Sequence, residues 1–475
     1  MITRVEIDGF KTFHDFTLDF APFQVIIGAN GTGKSNLFDA LRLLSRLADT
    51  DLRSAFQDLR GEASELFSIL PEGESARRIA LTVEMLVEPQ IQDSWGAEAT
   101  LPYTRLRYAL EIRRSTDELG LERLYVTHES LTAIARKNDE WIKKHIGEHE
   151  SVWLPPLKSG RSAPFISTDT AEGSVATIYL HQDGRKGRRA SVAEKAERTV
   201  LSGVTNTEFP HVLAAREEIR GWKFLQLNPE VLRQPSSMVA HQFVSADGSN
   251  LPSTLARMQA EDPYVLADVS RDMANLVPGI TEVEVERDQP RNRYIIKART
   301  QDGLLFSSRV LSDGTLRLLT LVALKNDNQH RGVLCFEEPE NGVHPFRLRN
   351  MVHLLRDLTT NFSDATQQAR PLRQLLVNTH SPVLVGQVVD QLTSLLGVVP
   401  ELTFAYTVVR VQPGGTERTL RVTRMSAIHS STQLPMMPVP LGTDGIYTVN
   451  QVIEYLHSAD ADRAVAVLTK SLPSD

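Results

Sequence analysis

A lysine and a serine close the run Gly28-Ala29-Asn30-Gly31-Thr32-Gly33-Lys34-Ser35, and the chemistry of that run is phosphate binding. Glycines at this spacing let backbone N–H groups wrap an anion that side chains would obstruct. Lys34 would bring positive charge to the β- and γ-phosphates, and the Ser35 hydroxyl would ligate Mg2+. Asn30, Gly31, Gly33 and Asn36 complete the candidate nucleotide-binding set around this loop. Three more stretches follow in order. Leu311-Ser312-Asp313-Gly314-Thr315 opens an apolar helix, Val333 to Phe336 runs into Glu337-Glu338-Pro339-Glu340, and Val377-Asn378-Thr379-His380-Ser381 ends another apolar stretch. Glu337 is suited to a metal shell and Glu338 to orienting or deprotonating a water. Ser312 has cap chemistry, and the N–H groups of the helix behind it are able to bind an anion. Taken singly, each stretch has a plain alternative: a glycine turn, an acidic surface cluster, a helix cap, a polar strand end.

Chemistry of this kind needs elements to hold it. Phe23 to Ile27 has the character of a short apolar strand entering the loop, and Ser35 to Leu47 has helical spacing at Leu37, Ala40, Leu41 and Leu44. Val333 to Phe336 is expected as a buried strand delivering two carboxylates to its C-terminal edge, where open α/β sheets bind ligands. Cys335 within it is a small core residue rather than a nucleophile. Leu311 to Leu324 and Phe346 to Leu358 are expected as helices, and Leu372 to Asn378 as another core strand. Residues 1–20 suggest two strands, and Arg78 to Val87 and Leu106 to Ile112 alternate as antiparallel strands do. Thr132 to Gly147 is expected to be helical, 151–190 is rich in Ser, Gly and Pro with a turn expected at Asp183-Gly184, and 191–275 is expected to be mostly helical. A hairpin is expected over Thr403 to Val422, turning at Pro413-Gly414-Gly415, and a helix around Asn450 to Lys470.

The chain has 475 residues, 52 basic and 59 acidic, for a net charge of −7, so its overall balance does not announce a nucleic-acid binder. A single cysteine rules out an intrachain disulfide and fits a reducing cytoplasm. No signal peptide and no membrane span is expected, because no run approaches the roughly 20 apolar residues a spanning helix needs. There is no internal repeat and no heptad run long enough for a coiled-coil arm.

The order of the motifs resembles the RecF/SMC/OLD branch of ABC-type ATPases, and within it the stand-alone ATPases with an LSDGT signature and an EEPENGVHP-like acidic strand end. The match covers roughly residues 1–115 and 220–385. The resemblance implies an α/β fold: an ABC-type P-loop ATPase head with an antiparallel β subdomain, a mixed α/β insertion and a small C-terminal α/β extension. The implied boundaries are an N-terminal ATPase lobe over 1–115, an insertion or lid over 116–280, a C-terminal ATPase lobe over 281–390, and an extension over 391–475. It also implies a head-to-tail dimer in which Ser312, Asp313 and Gly314 of one copy face the γ-phosphate of ATP held with Mg2+ by the other. His380 resembles the switch histidine, and Glu340-Asn341-Gly342 the loop connecting the two sites. Lys11 matches a basic position that touches nucleotide phosphate, or is a solvated lysine. Glu337 stands where many ABC ATPases carry Asp, and Gln57 is a weak counterpart of the Q-loop glutamine.

The implied function is an ATPase switch in DNA repair or anti-phage defence. Its expected partners are a second copy of itself, a separate effector or nuclease, and DNA as a candidate; no membrane is expected. The alternative is an ATP-dependent scaffold or sensor that never touches DNA. Arg185-Lys186-Gly187-Arg188-Arg189, with Arg136, Lys137, Lys143 and Lys144, could track a phosphate backbone or form a solvated tip. Asp444, Asp460 and Asp462 do not suggest a nuclease.

Overall fold

In the computed structural model, alternation of side chains divides one central sheet between two cores. The structure describes residues 1–391, 398–411, 419–429 and 447–457, apart from breaks at 71–73, 117–119, 157–162, 170–175, 183–187, 193–195, 242 and 450. The central sheet has the strand order 223–225, 332–337, 373–379, 23–27, 398–411, 419–429, 447–448. The first five strands run parallel, and 419–429 returns antiparallel to 398–411. All five residues of Phe23–Ile27 and all seven of Arg373–Thr379 are buried, as parallel strands covered on both faces must be. Ile26, Val333, Cys335 and Leu376 face one core, and Val25, Ile27, Leu334, Phe336, Leu375 and Val377 face the other. That period of two assigns each residue to its layer.

The first core is shared with the helix Lys34–Leu47 and an eight-stranded antiparallel sheet, ordered 188–192, 177–181, 166–169, 122–133, 105–116, 78–86, 2–8, 16–19. The second is packed by the helices Leu251–Glu261, Val265–Leu276, Asp313–Asn326 and Leu348–Asp357. A smaller sheet, built on the antiparallel pair Ile280–Asp288 and Arg293–Thr300, lies beside them. Among the described residues no helix is long and apolar enough to cross a membrane.

The α/β architecture with an antiparallel β subdomain is as expected. Several details differ. The stretch 151–190 supplies strands to the antiparallel sheet, and 122–133 carries strand into the region expected to be helical. Residues 223–225, set within the insertion on sequence grounds, form an edge strand of the central sheet beside the acidic strand. The region set apart from 391 onward is continuous with that sheet: Leu402, Thr403 and Phe404 pair with Val25, Ile26 and Ile27. Of these segments alternation marks only the 403–422 hairpin as strand, and even there it carries no information about which strand a segment pairs with. Residues 413–415, 444, 460, 462 and 183–187 lie outside the described residues.

Candidate functional site

The loop Gly28–Ser35 leaves the C-terminal end of strand Phe23–Ile27 and enters the helix Lys34–Leu47. Gly31 and Gly33 have φ of +85° and +94°, values an L side chain rarely adopts, so the loop needs glycine at both. Its outer tip, Asn30 and Gly31, is exposed, while Lys34 is buried. The Lys34 ammonium donates to the carbonyls of Gly28 at 2.6 Å and Ala29 at 2.9 Å. Burial pulls the Lys34 pKa down to about 8, against the opposing pull of Glu338, Glu337 and Glu340. The lysine therefore sits in the field of the acidic strand end, although the two lie some 300 positions apart in sequence.

Parallel pairing explains that meeting. Strand Arg373–Thr379 pairs with Phe23–Ile27 on one side and with Gly332–Glu337 on the other, so their C-terminal ends share one edge. Glu337 is half-buried, and burial raises its pKa. Glu338 follows at φ +47°, an uncommon conformation for a non-glycine residue. Its backbone N–H donates to Asn378 at 2.8 Å, extending the ladder one residue beyond the strand. Both carboxylate oxygens are engaged. Oε1 lies 2.8 Å from Nδ1 of His380, and Oε2 accepts from the Asn341 amide at 2.8 Å. Glu340 is hydrogen-bonded to the Thr379 hydroxyl through one oxygen, its other, buried oxygen has no partner among the described residues, and burial raises its pKa. Backbone strain and two side-chain contacts thus hold Glu338 in one orientation, a pattern that concentrates at functional sites.

Three residues occupy places the sequence did not anticipate. Lys11 is not a solvated lysine: its ammonium is 2.7 Å from Asp39, a buried carboxylate one helical turn beyond Ser35. Arg60 reaches the other Asp39 oxygen at 3.2 Å and stands 3.9 Å from Glu337. It lies three positions beyond Gln57, which is exposed at the end of a short helix, and no local spacing signals it. Asn36, a candidate nucleotide contact, spends its amide on the Thr12 hydroxyl at 2.9 Å.

Ser312 caps the helix Asp313–Asn326, accepting from the Thr315 N–H. Asp313 is ion-paired with Arg233, which also donates to the Leu311 carbonyl at 3.2 Å. A Cβ on Gly314 would lie 2.3 Å from the Gly342 carbonyl oxygen, so glycine is required where the helix start meets the 340–342 turn. Among the described residues no hydrogen bond or ion pair joins Ser312, Asp313 or Gly314 to residues 28–35.

The donors present suit Mg2+ accompanied by phosphate. Ser35 and Glu337 offer hard oxygen ligands, the type Mg2+ takes alongside water and substrate phosphates. Among the described residues no group of three or more His, Cys, Asp or Glu is arranged to hold a metal alone, so phosphate oxygens would have to complete the shell. Glu337 feels the negative charge of Asp39 and Glu338 and the positive charge of Arg60 and Arg42, so its charge is partly offset by protein cations already.

Two family models match consecutive parts of the chain. The first, an AAA ATPase domain, matches residues 1–151. The second, an AAA domain described as a putative AbiEii toxin of a type IV TA system, matches residues 157–386. Together they take in all four motifs, and both describe AAA-type ATPase domains; the strands 398–411 and 419–429 lie beyond both. The chain is 35% identical over 88 residues to the structural maintenance of chromosomes protein 3 of Saccharomyces cerevisiae, a stretch that is 18% of this chain and 6% of that protein. Among solved structures it is similar to an Smc head bound to the C-winged helix domain of ScpA, with a TM-score of 0.45, 13% identity, and 90% and 97% of the two chains covered. It is also similar to the SMC head domain from Thermotoga maritima, with a TM-score of 0.38, 12% identity, and 90% and 98% covered.

Proposed function

We propose that the protein binds and hydrolyses ATP with Mg2+, and that two copies close on each other around the nucleotide. The observation carrying this reading is the placement of buried Lys34 in the field of Glu337, Glu338 and Glu340, with His380 on Glu338. Lys34 would leave the Gly28 and Ala29 carbonyls for the β- and γ-phosphates, while the N–H groups of the loop and helix start face the same anion. Mg2+, held through Ser35 and Glu337, would neutralise charge on the phosphates. Glu338 takes the proton of the attacking water as the terminal phosphoryl group passes to its oxygen, giving ADP and phosphate. His380 and Asn341 orient the carboxylate, and each oxygen keeps a second lone pair with which to receive the proton. Ser312 and Gly314, which make no contact with the loop of their own chain, are free to meet the phosphate of another copy.

Steady-state ATP hydrolysis tests this. Lys34→Ala and Glu338→Gln should each lower kcat by at least about 100-fold. Only Lys34→Ala should also lose nucleotide binding. Wild-type rates in both variants would sink the reading.

The role of the cycle is a switch in DNA repair or anti-phage defence that acts on a separate effector. The toxin-system description of the second family model supports the defence side of that reading. A second reading, a scaffold or sensor that never touches DNA, draws support from two of the basic residues. Arg136 is 3.1 Å from Glu150 and Lys143 is 2.6 Å from Glu140, so their charges are already offset locally. Stimulation of hydrolysis by duplex DNA separates the two readings.

A further inference from the structure

The phosphate loop rests on a part of the chain that neither family model covers. A Cβ on Gly28 would lie 2.4 Å from the Ala405 carbonyl oxygen, and a Cβ on Gly33 would lie 2.1 Å from the Thr423 hydroxyl. Ala405 and Thr423 stand on the antiparallel strands 398–411 and 419–429, where Ala405 pairs with Met425 and Thr407 with Thr423. Two glycines of the loop are therefore required from behind, by this hairpin, as well as from the front by an anion.

Thr423 does more than fill space. It is 1% exposed, and its hydroxyl donates to the Thr32 carbonyl at 3.1 Å. A hydroxyl has one proton, so its 2.7 Å contact with the Thr12 hydroxyl must be one in which Thr12 donates. Thr12 in turn accepts from the Asn36 amide at 2.9 Å, and its carbonyl accepts from the Thr423 N–H at 3.0 Å. The result is a chain with a single direction: Asn36 to Thr12, Thr12 to Thr423, Thr423 to the Thr32 carbonyl. In a trans peptide, C=O and N–H point to opposite sides. Fixing the Thr32 carbonyl toward Thr423 therefore fixes the Gly33 N–H away from the hairpin. Gly33 has no side chain and a φ of +94°, so that peptide is held by the Thr423 contact and by the bond of the Thr32 hydroxyl to the Ala29 carbonyl at 2.9 Å.

We propose that Thr423 is a positioning residue of the nucleotide site: it presets the Thr32–Gly33 peptide so that the Gly33 N–H is presented to phosphate before nucleotide arrives. The inference rests on the reading of Gly28–Ser35 as an ATP site. Preorganisation of this kind acts on binding, because the ordering cost is met before the ligand comes.

The test is ATP–Mg2+ affinity, measured by calorimetry on full-length protein well below its melting temperature, with KM and kcat alongside. Thr423→Val keeps the shape and removes the hydroxyl; Thr423→Ser keeps the hydroxyl. Thr423→Val should bind ATP about tenfold more weakly, with KM rising and kcat little changed, while Thr423→Ser stays within about twofold of wild type. If Thr423→Val does not fold, Thr12→Val, which removes the donor to Thr423, should weaken binding by about threefold. Wild-type affinity in whichever valine variant folds overturns the assignment and leaves the ATP site standing. Failure of wild type to bind ATP, or unchanged binding by Lys34→Ala, overturns the ATP site itself.

Discussion

A lysine that must be charged to grip phosphate, yet is buried enough for its pKa to fall to about 8, makes nucleotide affinity depend on pH in a defined direction. Below pH 8 the ammonium is already charged and binding exchanges no proton there. Above pH 8 the free protein holds it neutral, while bound phosphate would raise its pKa again, so binding takes up a proton. Affinity for ATP should therefore fall between pH 8 and 9.5, by up to about tenfold per pH unit. Affinity that is flat or rising across that range would mean that ATP binding protonates no lysine there, either because Lys34 is already charged in the free protein or because it does not meet the phosphates. At this scale Lys34, Glu337, Glu338 and His380 were legible because each lies in a short motif whose neighbours explain it. Arg60 and Thr423 were not. Arg60 meets Glu337, and Thr423 meets Thr32, through contacts between residues hundreds of positions apart that leave no local pattern.

The elements that carry these residues make one motif ambiguous and supply the means to resolve it. Ser312 is a helix cap in this chain, and it is also the proposed contact to a second copy's phosphate. Ser312→Ala should cost about 1 kcal/mol of stability through the lost cap. Asparagine caps as well as serine, so Ser312→Asn should restore that stability. If the hydroxyl also meets phosphate, ATP-dependent association should be lost in both variants, as seen by sedimentation beside thermal melts. Association that recovers together with stability in Ser312→Asn would leave Ser312 as a cap alone. The elements were legible where period and caps agree. The expected strand Val333 to Phe336 is observed as Gly332–Glu337, and the expected helix opening at Leu311 begins at Asp313. What stayed hidden was pairing. Nothing in the alternation of 398–429 says that it lies beside strand Phe23–Ile27 and behind the phosphate loop.

At the scale of the whole molecule, one sheet edge gathers the phosphate loop, Glu337, Glu338 and His380, while Ser312 bonds to Thr315, Asp313 pairs with Arg233 and Gly314 packs against the 340–342 turn. Under the proposed function a single chain would hold two half-sites, with ATP joining one half of each copy to the other half of its partner. Glu338→Gln, which should bind ATP and stall before hydrolysis, is the protein to use. Its mass in solution should double on adding ATP–Mg2+ and return to the monomer value with ADP. A Glu338→Gln protein that stays monomeric with ATP demonstrably bound would contradict the shared site and return Ser312 to the role of a helix cap.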